Sequence, residues 1–321
     1  MSTDPATDLG GSLPTAGAGS AASSEAGSEA AGAPVDAVVQ LTGVGRVFRR
    51  SGGRQVTALD GIDLTVPRGS AFGVVGESGS GKTTLIRIVA GLERATSGRV
   101  VIDGTDITAL PEKRLGSLRS TLQVVFQDPM GSLDPRMRIG RIVAEPLLAQ
   151  RQRDDRRMER HVLDARVAEV LGQVGLEPDI VHRYPHQFSG GQRQRISIAR
   201  AIAPDPAVLI ADEAVSALDV TVRAQILDLI AEIAARRSLT LIFVSHDLSV
   251  IRRVCDRVAV LQSGRLVETG TTAEVYRHPR QEYTRQLLAA VPRLAESLAM
   301  ARERAARSTG DDPIALREDG G

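Results

Sequence analysis

Short apolar runs bounded by glycine, and later a stretch of helical periodicity, divide the chain into predicted elements. Val35 to Val47 and Gln55 to Val66 carry the apolar residues of strands, and Gly52-Gly53 and Gly61 mark turns. Ala71-Phe72-Gly73-Val74-Val75 is a compact apolar run; a glycine-rich stretch follows, then Leu85-Ile86-Arg87-Ile88-Val89-Ala90, which reads as a helix. Gly98 to Asp103 reads as a strand and Glu112 to Arg119 as a short helix. An apolar strand from Leu122 ends at Gln127, just before Asp128-Pro129. Beyond Ile139 the period changes. Ile139, Ile142, Val143, Leu147 and Leu148 recur at helical spacing, as do Val162, Val167, Val170, Leu171 and Val174. Continuous apolar runs return before Asp212 and from Leu239 to Val244, the pattern of strands buried on both faces. A hairpin around Ser263-Gly264 and helices over Ala273 to Arg277 and Tyr283 to Ala290 complete the series.

Strands alternating with helices predict an α/β core, and the helical stretch from Ile139 to Tyr184 predicts an inserted second lobe. The basic run Arg151 to Arg160, with Asp154, Asp155 and Glu159 interleaved, reads as a solvated face or linker. Residues 1–34 are Ala/Gly/Ser-rich, with acids and no basic residue. They lack the charged and apolar parts of a secretion signal and read as a disordered tail. Arg293 to Arg307 reads as an Arg-bearing amphipathic segment before a polar Gly/Asp tail.

Composition narrows the classes. The 321 residues are 42% hydrophobic and 25% charged, a globular balance long enough for one large domain or two smaller ones. A net charge of +1 gives no general argument for a nucleic-acid partner. The single Cys255 excludes a disulfide framework and a cysteine-rich metal site within one chain. No apolar run approaches the roughly 18–20 residues that span a bilayer, so the cytoplasm is the expected compartment.

The glycine-rich stretch carries chemistry. Gly76-Glu77-Ser78-Gly79-Ser80-Gly81-Lys82-Thr83-Thr84 lies between a strand and a helix, the setting of a phosphate-binding loop. Its N–H groups and the positive helix end would cradle a polyphosphate. Lys82 would place a point charge at the outer phosphates, and the Thr83 hydroxyl would ligate Mg²⁺. Of the 40 basic residues only Lys82 and Lys113 are lysines. A compact ammonium suits the loop better than a forked guanidinium.

Five further places are ambiguous alone. Gln127 at a strand end usually just satisfies a turn; it gains weight if its strand lies beside the phosphate-loop strand. Ser189-Gly190-Gly191-Gln192 at a helix start offers a second set of N–H donors or a plain helix cap. Asp212-Glu213 at a strand end could hold a metal and orient water, or cap the helix Val220 to Arg236; the phosphate loop favours the first. His246, after the strand Thr240 to Val244, is either a structural histidine or a contact for a terminal phosphate. Phe48 could be a solvated hairpin end or a platform for an adenine ring.

Together these pieces resemble the ATP-binding subunit of ABC transporters, over roughly Val35 to Pro292. Gly76 to Thr83 is similar to its Walker A motif, Gln127 to the Q-loop glutamine, and Phe188-Ser189-Gly190-Gly191-Gln192 to the Leu-Ser-Gly-Gly-Gln signature, with Phe for Leu. Val208 to Asp212 with Glu213 is similar to Walker B and its glutamate, Ser216-Ala217-Leu218-Asp219 to the D-loop, and His246 to the switch histidine. Phe126 to Arg136, Val143 to Leu147 and His278 to Leu288 resemble the oligopeptide/dipeptide importer ATPases. Gln281-Glu282 stands where that subfamily has His-Pro, and Ala214 where Pro often follows the glutamate.

The resemblance implies a P-loop NTPase α/β fold with an antiparallel β subdomain and a helical subdomain at about residues 139–190. The ATPase domain would span residues 35–270 and a subfamily-type extension 271–292, with a helical then disordered tail over 293–321. It implies ATP and Mg²⁺ as ligands. Phe48 would stack on adenine, and Thr83, Asp212 and Gln127 would hold the metal. Glu213 would polarise the attacking water, Gln127 would reach toward that water, and His246 would hold the terminal phosphate. Ser189 to Gln192 and Asp219 would close on the ATP of a second subunit, identical or related. Two membrane permeases and, indirectly, an extracytoplasmic solute-binding protein would complete an importer, with this chain peripheral on the cytoplasmic face. The implied cargo is a peptide, with nickel, glutathione or another solute as alternatives. A soluble ATPase of translation or DNA repair is the rival class, but the chain shows no tandem cassette, coiled coil or zinc insertion.

Overall fold

The computed structural model describes residues 36–49, 53–154 and 159–290, without side chains at 117 and 151–154. The expected tail before residue 35, the segments beyond Ala290 and the middle of the basic run lie outside the described residues. The chain begins with β1 (Ala37–Arg49), β2 (Gln55–Pro67), β3 (Ala71–Val75), α1 (Lys82–Val89), β4 (Ser97–Ile102) and β5 (Thr105–Asp106). Then come α2 (Gly116–Thr121), β6 (Leu122–Val125), α3 (Pro129–Ser132), α4 (Ile139–Asp154), α5 (Arg160–Gln173) and α6 (Gly190–Ile202). The last third is β7 (Val208–Asp212), α7 (Val220–Arg236), β8 (Thr240–Ser245), α8 (Leu248–Val254), β9 (Arg257–Gln262), β10 (Arg265–Thr271), α9 (Thr272–Arg277) and α10 (Glu282–Ala290).

Two sheets form. An antiparallel sheet runs β2-β1-β4-β5, and a six-stranded sheet runs β10-β9-β3-β8-β7-β6. In the second, every pairing from β9 to β6 is parallel, and β10 adds an antiparallel edge. The central strands are apolar without interruption because both faces are covered. Alternation still sorts their side chains. Val75, Leu209, Ala211, Leu241, Phe243, Val258 and Val260 join one core with the helical lobe. Phe72, Val74, Val208, Ile210, Ile242, Val244, Ala259 and Leu261 join another, with α1 and the antiparallel sheet. The six-stranded sheet is thus the partition between two cores.

The inserted lobe is helical as expected. Ile139, Ile142, Val143 and Leu147 of α4 and Val167, Val170 and Leu171 of α5 are buried in the first core. Val162 is a correction: it is 46% exposed, because five residues separate it from Val167 and put it off the buried stripe. Past Gln173 the lobe continues as two short 3₁₀ turns, Pro178–His182 and Pro185–Gln187. Val174 is buried just beyond the helix. The predicted helix from Glu112 splits into a 3₁₀ turn, Glu112–Arg114, and α2.

The C-terminal extension is tied back to the core. The Thr271 hydroxyl and Glu274 cap α9 reciprocally. The Thr272 hydroxyl donates to the Cys255 carbonyl at 2.7 Å. Glu268 of β10 accepts the N–H groups of Arg280 at 2.8 Å and Gln281 at 3.2 Å, holding the turn into α10. Burial pushes the Glu268 carboxyl up, but the bonds from Arg280 and Gln281 outweigh it and leave it below its ordinary value. Its contribution is therefore present above the unfolded carboxylate value and lost as pH falls through the folded one. Glu268→Gln is expected to cost about 1–3 kcal/mol at pH 7. In thermal unfolding across pH, the gap from wild type should narrow and close as pH falls below the ordinary glutamate range. A gap that does not change with pH would contradict the charged role.

Candidate active site

Three loops converge beyond the carboxyl ends of β3, β8 and β7. The first leaves β3 at Gly76. A Cβ there would lie 2.2 Å from the Leu261 carbonyl oxygen and 2.6 Å from the Ser80 hydroxyl, so only glycine fits. The loop ends at Gly81, the N-cap of α1, whose φ of 107° also suits glycine. Lys82 is buried; its Nζ donates to the Gly76 carbonyl at 2.7 Å and the Glu77 carbonyl at 2.9 Å. The lysine thus rigidifies its own loop. Burial pulls its ammonium down, opposed by the charges of Glu213 and Asp212. Ser80 is buried and its hydroxyl has no partner, while Ser78 and Thr83 are exposed and Thr84 is half-buried. An orphaned hydroxyl inside a ring of inward-turned backbone fits an oxyanion ligand.

The second loop follows β7. Asp212 is its last residue, and Glu213 takes φ 46°, a left-handed conformation rare outside glycine. The Glu213 N–H donates to the Val244 carbonyl at 3.0 Å, and its carbonyl accepts the Ser216 N–H and hydroxyl, each at 3.0 Å. The strain, about 1–3 kcal/mol, is thereby held against relaxation. Burial, then the Glu213 charge, pushes the Asp212 carboxyl up, with Lys82 and Arg87 opposing. A buried carboxyl that resists ionisation suits a bound cation, which reverses that bias. Among the described residues no three His, Cys, Asp or Glu side chains gather as a self-sufficient metal site. One carboxylate and one helix-start hydroxyl are instead the sparse donor set that suits Mg²⁺ held partly by phosphates.

The third loop follows β8. His246 Nδ1 lies 3.5 Å from Glu213 Oε1. Its neighbours are fixed. The Ser245 hydroxyl accepts the Asp247 N–H at 2.9 Å, and Asp247 caps α8 by accepting the Ser249 N–H at 2.8 Å. Glu77, Ser78, Glu213, His246, Asp247, Leu287 and Ala290 together line a cleft of about 690 Å³.

This geometry has a match among known proteins. A family described as "ABC transporter" matches residues 59–216. The Escherichia coli (strain K12) oligopeptide transport ATP-binding protein OppF is 45% identical over 239 residues, covering 74% of this chain and 70% of that protein. The chain belongs to the ABC transporter ATPase family. OppF of Streptococcus mutans is 43% identical over 258 residues, 79% of this chain and 82% of that one. Among solved structures, a dimeric post-hydrolysis state of the ATP-binding cassette MJ0796 bound to ADP and Pi superposes with TM-score 0.65 at 29% identity, covering 73% of this chain and 98% of that chain.

The remaining expected residues of this ABC ATPase sit apart from the cleft. Ser189 is the N-cap of α6: its hydroxyl accepts the Gln192 N–H at 3.3 Å, and Gln192 Oε1 accepts the Ser189 N–H at 3.0 Å. Gly190 is exposed beside Leu218, and a Cβ on Gly191 would press within 2.6 Å of Val222. Asp219, not Asp212 or Glu213, caps α7, accepting the Val222 N–H at 3.0 Å. The signature and the D-loop are therefore neighbours on an exposed face, and neither lines the cleft. Gln127 is exposed just beyond β6. The condition that its strand lie beside the phosphate-loop strand is not met: β7 and β8 separate β6 from β3, and Gln127 follows the strand beside Asp212. Phe48 stands opposite Val56 in β1, half-buried, with the Arg46 guanidinium 4.4 Å from its ring centre.

Sequence reasoning missed Tyr283, Leu287 and Ala290. Tyr283 accepts the Glu77 N–H of the phosphate loop at 3.0 Å, and the other two line the cleft. The extension was visible in the sequence; its contact with the loop, across 206 positions, was not.

Gly76→Ala tests the loop's steric limit. The added methyl meets the Leu261 main-chain carbonyl as well as the Ser80 side chain, a clash costing about 1–3 kcal/mol. ATP affinity by fluorescent-nucleotide titration should fall about tenfold or more. Unchanged affinity would mean the loop does not hold the nucleotide in this conformation.

Proposed function

We propose that this chain is the ATP-hydrolysing subunit of an ABC importer for peptides. The observation that carries the reading is the convergence of Lys82, Asp212, Glu213 and His246 at one sheet edge in a chain 45% identical to an oligopeptide transport ATP-binding protein. Lys82 and the N–H groups of Gly79 to Thr84 bind the outer phosphates, Ser80 offers its orphaned hydroxyl, and Phe48 supports the adenine on its free face. Thr83, Asp212 and Gln127 would hold Mg²⁺, which would supply positive charge against the phosphates. Glu213 accepts the proton of the attacking water and His246 orients the terminal phosphate. The 3.5 Å contact between Glu213 and His246 supports their acting together.

Ser189 to Gln192 and Asp219 complete the site of a second ATP-binding subunit, identical or related. Their exposure on one chain, away from its own cleft, supports that division of labour. A separate groove of about 270 Å³ between the core and the helical lobe suits two membrane permeases. Leu92 and Phe126, 52% and 44% exposed, provide its apolar wall, and the Glu145–Arg200 pair at 3.1 Å its charged rim. Among the described residues no helix is long and apolar enough to cross a membrane, so the permeases supply the span. In this reading the chain sits on the cytoplasmic face, and an extracytoplasmic binding protein delivers peptide to the permeases.

Two substitutions test the assignments. Glu213→Gln keeps ATP binding and should lower turnover about 10²-fold or more, read as phosphate release. Wild-type turnover would remove Glu213 from the reaction. In that hydrolysis-deficient background, Ser189→Arg should leave nucleotide titration unchanged while abolishing the ATP-dependent dimer in light scattering. A persisting dimer would overturn the two-subunit site.

A further inference from the structure

The extension after β10 contacts two of the segments around the catalytic cleft, the phosphate loop and the start of α8. Two of the chain's three tyrosines make the contacts. Tyr283, on α10, is 8% exposed and packs in the core below the loops. Its hydroxyl accepts the Glu77 N–H at 3.0 Å, one residue past the glycine that opens the phosphate loop. Tyr276, on α9, donates its hydroxyl to the carbonyl of Leu248. Leu248 is the first residue of α8, two positions after His246 and adjacent to the cap Asp247. Arg252 lies over the Tyr276 ring, 5.6 Å from its centre. Further along α10, Leu287 and Ala290 form cleft wall facing Glu77, Glu213 and His246.

These contacts have a rigid base. Glu268 grips the turn between the two helices through two N–H groups, and Thr272 fixes the start of α9 to Cys255. Burial pushes both phenols up, so each hydroxyl stays protonated wherever the protein is folded and active. One anchored unit thus holds the phosphate loop with one tyrosine and the turn behind His246 with the other. A displacement on the ångström scale in either loop matters, because phosphoryl transfer depends on alignment of groups held by different loops.

We propose that α9 and α10 form a clamp in which Tyr283 positions the phosphate loop and Tyr276 positions the His246 turn for ATP hydrolysis. Neither tyrosine touches the reacting atoms; both act through the backbone they hold. The inference rests on the ATPase reading above.

The test uses the full-length chain and steady-state ATP hydrolysis. Tyr283→Phe keeps the buried ring and removes only the acceptor for Glu77. It should raise KM for ATP about three- to tenfold with kcat within about twofold, the scale of one net hydrogen bond. Tyr276→Phe, acting on the other loop, should instead lower kcat about three- to tenfold with KM retained. A purely structural role would lower the melting temperature and leave both constants of the folded protein unchanged, and that outcome overturns the proposal. Should a Phe variant fold poorly, a pair of variants at Thr272 decides. The new carboxylate of Ala290→Glu only reports that α10 walls the cleft, as a KM raised at low salt. The clamp itself is read with Thr272→Ser, which keeps the bond to the Cys255 carbonyl, against Thr272→Val, which removes it. Only the valine variant should lower kcat, and equal kcat counts against the clamp. Absence of hydrolysis in the wild type would sink the ATPase reading itself, a separate result.

Discussion

Parallel pairing of β8 between β3 and β7 is the constraint on which the site depends. Val75 stands opposite Ser245, and Asp212 opposite Val244. The three strands therefore end at nearly one level, and each passes directly into a loop that carries chemistry. Register here is strongly specified, because alternate residues of each strand belong to different cores. Sliding β7 by one residue would exchange Leu209 and Ala211 with Val208 and Ile210, and would carry Asp212 to the other side of the sheet. Hydrophobic sorting between two cores is thus what fixes the acidic pair opposite the phosphate loop.

The polar groups so assembled are mutually frustrated as they stand. Burial pulls the Lys82 ammonium down and pushes the Asp212 carboxyl up, and Glu213 adds a like charge beside Asp212. Lys82 spends its donors on two carbonyls of its own loop. A polyphosphate would give the lysine an anion, and a cation carried with it would give Asp212 a counter-charge. On the proposed reading, metal and nucleotide together would resolve a conflict that either alone leaves half in place. The same conflict explains why Glu213 is held in a left-handed conformation by three hydrogen bonds: without them the second carboxylate would swing into water.

What could be read in the sequence follows from locality. The strand–loop–helix around Gly76, the cap at Ser189 and the turn at Ser216 to Asp219 are each written within about a dozen residues, and local chemistry dictated them. The α/β core with its helical insertion was legible from the change of period at Ile139. Three things were not. The strand before Gln127 carries no mark of its place at the sheet edge, because strand order is decided by packing rather than by the strand's own residues. Val162 looked periodic but sits five residues from its partner, a spacing that a helix turns away from the core. The tyrosines of the extension were equally silent, since a buried ring and a positioning hydroxyl look alike in a sequence.

That silence bears on how such a site is built. The sheet fixes where each loop begins but leaves the loop tips free, and tips are where the phosphates lie. Lys82 steadies the first tip from within, and Ser245 and Asp247 steady the turn around His246. The contacts at Glu77 and Leu248 come from beyond residue 271, outside the family-matched stretch of 59–216. Both reach main-chain groups rather than motif side chains, so the motifs can stay the same while the extension varies. The distance between the phosphate loop and the His246 turn then becomes a property of the extension, separable from the chemistry that the motifs perform.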